Sequence, residues 1–516
     1  MRLSRSFPLL FASLCLLLAS TAGTAARAAT PEAPKAAEGM SNEKDKLTEK
    51  KSVTRHAITL GNRKIEYTAT AGTLILRDDE AKPKASMFYV SYIADGFPDP
   101  ARRPVTFCFN GGPGAASLWV HLGAFGPRKV QRDSEGMALA PPAILIDNDQ
   151  SILDHSDLVF IDPISTGYSR AATGEDPKQF HGLKEDIQWV SEFIRLWLVR
   201  NERFASPKFV AGESYGTTRA AGIALHLLDR YGIELNGVAL LSLILNWQDQ
   251  EFGIGNDLPY IIHIPTYTAT AWFHKKLPPE LSGDLRAALA ESEKFALGEY
   301  ATALLEGNRL APARRREIAA KLARLTGLSP EYIERTNLRV ELERFQKELL
   351  RSEGRTVGRL DSRFVGRDLD NAGEYSEFDP ATPPLVGPYA AATNDYLRRE
   401  LKFQDDAVYE HLTRKVRPWG WDGFENRYAN LGETLRQAMT KNPHMKVLIA
   451  SGLYDFATPY FDAIYSVSHL GLPLELEPNV VIETYEAGHM MYIKDTEHQK
   501  LKADLATFYR QAIPKR

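Results

Sequence analysis

Lys208-Phe209-Val210-Ala211-Gly212-Glu213-Ser214-Tyr215-Gly216-Thr217 is the stretch that decides the fold. Its first four residues read as the end of a buried strand. After Thr217, residues Ala220, Ala221, Ala224, Leu225 and Leu228 recur at helical spacing. A Gly-x-Ser-x-Gly turn joining a strand to a helix presents its serine on a bend too tight for neighbouring side chains, so glycines flank it. The five-residue pattern alone recurs by chance; the strand before it and the helix after it give it meaning.

Outward from that turn, strands and helices alternate. Val105-Thr106-Phe107-Cys108-Phe109 and Leu158-Val159-Phe160-Ile161 are short continuous apolar runs, as buried strands are. The first ends in Asn110-Gly111-Gly112-Pro113-Gly114, a loop whose glycines free backbone N–H groups to point at a ligand. The second stops at Asp162-Pro163 and continues as a loop through Ser169. Leu183, Ile187, Val190, Phe193, Ile194, Trp197 and Leu198 form a helical stripe that faces the core. Further strands are expected at 238–243, 447–451 and 480–485, with a closing helix over 497–509. Alternation from His56 to Tyr92, through Ile65, Tyr67, Met87, Tyr89 and Ser91, predicts antiparallel strands that open the sheet. The sum is a mostly parallel sheet covered on both faces by helices.

Residues 248–440 break the pattern and show little buried-strand signal. Leu281, Leu285 and Leu289 predict one short amphipathic helix. Ser329 and Pro330 start another, whose apolar positions include Ile333, Val340, Phe345 and Leu349. Runs such as Arg314-Arg315-Arg316 read as a solvated face. This segment reads as a helical cap inserted between a first core part, 51–247, and a second, 441–516. Long ordered insertions of this kind commonly shape an active site.

The 516-residue chain is 44% hydrophobic and carries a net charge of −3, which gives no reason to invoke nucleic acid. Arg2 and Arg5 precede the apolar run Phe7–Ala19, and small residues follow as far as Ala26-Arg27-Ala28. That is the pattern of a secretory signal peptide, 1–28, cleaved before Ala29. Residues 29–50, rich in Ala, Pro, Glu and Lys, read as a disordered linker. No later stretch is long enough to span a bilayer. Of the two cysteines, Cys15 leaves with the signal and Cys108 remains, so the exported chain has no internal disulfide; a periplasmic location fits this.

A serine hydroxyl needs a base within hydrogen-bond reach, and the base needs a third group to hold its tautomer. Asp455, beyond the strand at 447–451, and His489, beyond the strand at 480–485, follow Ser214 in the order Ser, Asp, His. His469 fits a helix, His498 a charged helix start, and His444 precedes a strand instead of following one. An oxyanion formed on attack needs two N–H donors; Tyr215, next to the serine, and Gly112, in the glycine-rich loop, supply them. No Walker lysine follows that loop, no His-Glu-x-x-His or cysteine pair marks a metal site, and nothing calls for a cofactor.

Asn110–Gly114, Gly212–Gly216, Gly452-Leu453-Tyr454-Asp455-Phe456 and Ala487-Gly488-His489-Met490 together resemble, in order, the four main blocks of the serine carboxypeptidase family. The likeness runs over about residues 86–510. It implies an α/β-hydrolase fold, a peptide substrate, and binding of the substrate's C-terminal carboxylate by Asn110, Gly111 and Glu213. It also implies a second glutamate, but counting along the loop to Phe125-Gly126-Pro127 puts Ala124 in its place, and Cys108 stands where the family usually has tryptophan. The family's glutamate pair shares a proton because like charges so close cannot both ionise. Without it, C-terminal specificity and an acidic optimum are less well founded than the hydrolytic machinery. The expected activity is that of an exported serine peptidase of carboxypeptidase type. An esterase or acyltransferase with the same triad is the alternative, and a catalytically inactive binding protein is the alternative of another class.

Overall fold

The computed structural model describes residues 47–513. The expected signal peptide and most of the expected linker lie outside the described residues. The last linker residues, 47–50, are held in place: the Lys50 carbonyl accepts from Thr73 N–H, and Glu49 accepts from Ile75 N–H and pairs with Arg200.

Nine strands build the main sheet: β1 (Lys51–Leu60), β2 (Arg63–Arg77), β3 (Pro83–Ala94), β4 (Val105–Phe109), β5 (Asp157–Ile161), β6 (Lys208–Glu213), β7 (Gly237–Leu241), β8 (Lys446–Gly452) and β9 (Val480–Tyr485). Their order is β1-β2-β3-β5-β4-β6-β7-β8-β9, and the two-residue strand Arg170–Ala171 pairs with β3. The first three strands and the β3–β5 contact are antiparallel, and every later pair is parallel. The swap of β4 and β5 places β4 and β6 side by side, with Phe109 in register with Gly212. Hence the glycine-rich loop and the serine turn leave the same edge together. This is the α/β-hydrolase fold.

The residue pattern explains the layers. β4, β5 and β7 are buried along their whole length, as strands covered on both faces must be. On one face Phe107, Val159, Val210, Val238 and Leu240 pack against helices α1 (Leu183–Arg200) and α2 (Tyr215–Tyr231). On the other, Cys108, Phe160, Ala211, Ala239 and Leu448 pack against the closing helix Asp495–Ala512 and the segment 115–125.

Between β7 and β8 the chain is largely helical, and its core, with Tyr267, Leu322 and Phe345, is completed by Phe456 and Phe461 from beyond β8. Two expectations there are corrected. The helix expected through Leu281, Leu285 and Leu289 is two, Pro279–Ser282 and Leu285–Phe295, because Gly283 ends the first and Asp284 caps the second by accepting from the N–H groups of Arg286 and Ala287. The helix begun at Pro330 stops at Arg335, where Asn337 and Leu338 take left-handed backbone angles of +56° and +64°, and a new helix runs over Leu342–Glu348. No helix among the described residues is long and apolar enough to cross a membrane.

Candidate active site

Ser214 stands between β6 and α2 with φ 60° and ψ −131°, a region that non-glycine residues occupy only under constraint. Its N–H donates to the Leu241 carbonyl of β7 at 2.9 Å, which fixes the bend. Gly111 lies so close that a Cβ there would stand 2.5 Å from the Tyr215 nitrogen and 2.7 Å from the Glu213 carbonyl oxygen. Only glycine lets the two loops touch.

Beyond β8, Asp455 is fully buried. One carboxylate oxygen accepts the N–H groups of Ala457 at 2.7 Å and Thr458 at 3.1 Å. The other accepts the Thr458 hydroxyl at 2.7 Å and faces His489 Nδ1 at 2.7 Å. With Nδ1 donating to Asp455, the imidazole keeps Nε2 as a proton acceptor. Burial pulls the His489 imidazole down, but the Asp455 carboxylate and, behind it, Glu213 outweigh this and leave it above the ordinary histidine range.

Ser214 and His489 line one cavity of about 390 Å³, together with Asn110, Gly111, Gly112 and Glu213. Among the described residues, the Asp455–His489 contact of the expected triad is made, and no hydrogen bond joins the Ser214 hydroxyl to His489. Hydrogen bonds of this kind often tighten only when substrate binds. Gly112, at φ +103°, and Tyr215, at the start of α2, donate their N–H groups to no protein acceptor among the described residues. The helix start adds its partial positive charge at the same place.

Asn110 is buried and fully engaged. Its side-chain N–H donates to one Glu213 oxygen at 2.6 Å, and its side-chain oxygen accepts from the N–H groups of Trp119 and Val120. The second Glu213 oxygen accepts the Tyr492 hydroxyl at 2.6 Å. Glu213 thus shares hydrogen bonds with neutral donors, and no second carboxyl group bonds to it among the described residues. Ala124 is buried, with its carbonyl accepting from Asn148 and His498. Burial pushes the Glu213 carboxyl above its ordinary value, against the pull of His489, Tyr492 and Asn110.

Several supporting residues carry no sequence signal. Beneath the serine turn, buried Arg219 donates to Asp186 at 2.7 Å and to the Asn110 carbonyl at 2.7 Å, while the Tyr215 hydroxyl donates to the same Asp186 oxygen at 2.9 Å. From the middle of the chain, residues 359–362 bind both later loops. Leu360 accepts from His489 N–H, Asp361 from Gly488 N–H, and Arg359 from Phe456 N–H, while Ser362 N–H donates to Tyr454. Tyr492 lies three residues past His489, yet nothing in its neighbours points to Glu213.

The comparisons with known proteins fit this geometry. Residues 66–271 match the family model described as serine carboxypeptidase. Serine carboxypeptidase-like 44 of Arabidopsis thaliana is 26% identical over 234 residues, 43% of this chain and 42% of that protein. Serine carboxypeptidase-like 46 of the same plant is 29% identical over 142 residues, 27% of each. The chain therefore spans less than half the length of these curated relatives. The crystal structure of Kex1Δp, a prohormone-processing carboxypeptidase from Saccharomyces cerevisiae, superposes with a TM-score of 0.53 at 13% identity, over 86% of this chain and 91% of that one, a likeness of fold. The match over residues 66–271 and the meeting of the two loops at one cavity lead to one conclusion: this part of the chain is similar to the serine carboxypeptidase family.

Proposed function

We propose that the protein is an exported serine peptidase of carboxypeptidase type, which removes residues from the C-terminus of peptides through an acyl-enzyme. The observation that carries this is Ser214, held in a constrained bend and opening into the same cavity as the buried His489–Asp455 pair. In this reading Ser214 Oγ attacks the scissile carbonyl carbon and its proton passes to His489 Nε2. Asp455 holds the imidazole in the required tautomer and balances the imidazolium. The N–H groups of Gly112 and Tyr215 stabilise the oxyanion. His489 then protonates the leaving amine, and water repeats the sequence in reverse roles to release the acyl group. In this reading Asn110, Gly111 and Glu213, which line the same cavity as Ser214, take the product-side carboxylate. The leader-like residues 1–28 support export, with the periplasm as destination.

One observation favours a second reading, an esterase or acyltransferase: Glu213 pairs with Tyr492 and Asn110 and, among the described residues, has no carboxyl partner to share a proton with. Blocked dipeptides, their C-terminal amides and simple esters, compared by kcat/KM, separate the two. A preference for the free carboxylate is expected, and equal turnover of acid and amide would sink the exopeptidase assignment. Fluorophosphonate labelling of the wild type, absent in Ser214→Ala, tests the nucleophile itself.

A further inference from the structure

Three arginines line the cavity that holds Ser214 and His489: Arg359, Arg414 and Arg417. All three side chains are on exposed residues, and among the described residues none has a carboxylate within salt-bridge distance. Arginines without a carboxylate partner among the described residues are common on this surface, as at Arg55, Arg309, Arg316 and Arg335; what sets these three apart is that they line one cavity with Ser214 and His489. The acids in the same cavity do not serve as counter-ions. Glu213 is buried and occupied by Asn110 and Tyr492. Asp379 spends its oxygens on the backbone N–H groups of Arg359, Leu360 and Ala381.

The segments that carry these arginines are fixed to the reaction centre from two sides. The Arg359 carbonyl accepts the Phe456 N–H, one residue past Asp455, and the next residue, Leu360, accepts the His489 N–H. On the opposite side the loop bearing Arg414 and Arg417 is joined to the glycine-rich loop: Thr413 N–H donates to Gly114, and Ala116 N–H donates to His411. The backbone of the segments that carry the three arginines is therefore tied to the loops of Asp455, His489 and Gly112. An anion entering this cavity also meets the negative field of Glu213 and Asp455, which unpaired arginines offset.

We propose that Arg359, Arg414 and Arg417 form a carboxylate-selecting subsite at the mouth of the active site. It takes a substrate carboxylate, from the peptide C-terminus or from an acidic side chain beside the scissile bond. Planar guanidinium forks suit that group, through paired N–H donors. The proposal rests on the hydrolase reading of the cavity and supplies the charge recognition that the missing glutamate partner leaves open.

The test is the triple variant Arg359→Gln/Arg414→Gln/Arg417→Gln of the full chain. Two ratios of kcat/KM are read: blocked dipeptide acid over its amide, and a neutral-ended substrate with Asp or Glu beside the scissile bond over the same substrate with Asn or Gln. Three partly exposed charge contacts, each worth about threefold, lower one of these ratios by about 30-fold. The ratio that falls identifies which carboxylate is bound. A change below about threefold in both overturns the subsite. In Ser214→Ala protein, calorimetry with benzyloxycarbonyl-phenylalanine and its amide gives the same comparison without turnover. Loss of acid preference there in the triple variant supports the subsite even if the chain proves not to be a peptidase. Labelled, esterolytic enzyme with unchanged ratios refutes the subsite alone.

Discussion

Replacing Arg219 by Met removes one charge from a buried cluster and leaves its partner stranded. Arg219 and Asp186 are almost wholly buried, 2.7 Å apart, and the guanidinium also holds the Asn110 carbonyl and lies over the rings of Phe109 and Tyr215. Methionine fills much of the volume but meets neither acceptor. Breaking one side of a buried ion pair costs about 3–5 kcal/mol, mostly through the uncompensated charge that remains. The unfolding entropy of a body this size is roughly 1 kcal/mol/K, so a loss near 4 kcal/mol lowers Tm by about 4 °C. In Arg219→Met/Asp186→Asn the stranded charge is gone while Tyr215 keeps an acceptor, and about half of the lost Tm returns. Arg219 is a positioning residue, so kcat also falls, by about tenfold, as the glycine-rich loop loses its tie to the serine turn. KM changes less than kcat. Differential scanning calorimetry and ester kinetics on the wild type, single and double variants make the check. A single variant that melts within about 1 °C of wild type, or a double variant no more stable than the single, refutes the buried-charge reasoning.

Two further outcomes follow from the site. With His489 held above its ordinary range, kcat/KM on a neutral ester rises with pH as the imidazole gives up its proton, at a pH above that of free histidine. Glu213 contributes to that elevation, so Glu213→Gln moves the limb to lower pH; a limb that stays put or moves upward contradicts the placement of Glu213 behind His489. Asp361→Ala deprives the Gly488 N–H and Arg363 of their acceptor and loosens the histidine loop. It lowers kcat by about tenfold, equivalent to the net worth of one hydrogen bond to a charged group, and Asp361→Asn restores part of this. Stopped-time ester assays that show wild-type kcat for the alanine variant exclude that role.

The parts of the molecule that announce themselves in sequence are those governed by local rules. Continuous apolar runs gave β4, β5 and β7, alternation gave β2 and β3, and the glycines around Ser214 mark a bend that only glycines permit. The strand ends then carry Asp455 and His489, which the fold brings together although 34 residues separate them. What escaped are contacts between side chains distant in sequence: Tyr492 on Glu213, Arg219 on Asp186, and residues 359–362 on two loops. Such pairs leave no period to read. The helices at 279–295 and 330–348 were misjudged because apolar spacing persists across a break. The break itself lies in one cap at Asp284 and in two left-handed residues, Asn337 and Leu338.

The hold of residues 359–362 on both later loops has a consequence for assembly. The imidazole arrives near the end of the chain, and its seat includes the Leu360 carbonyl and the Asp361 carboxylate, which belong to the helical stretch that precedes β8. That stretch must be docked for these contacts to hold the histidine loop beside its aspartate. A chain that has completed its sheet but not its middle third thus holds a serine with no working base.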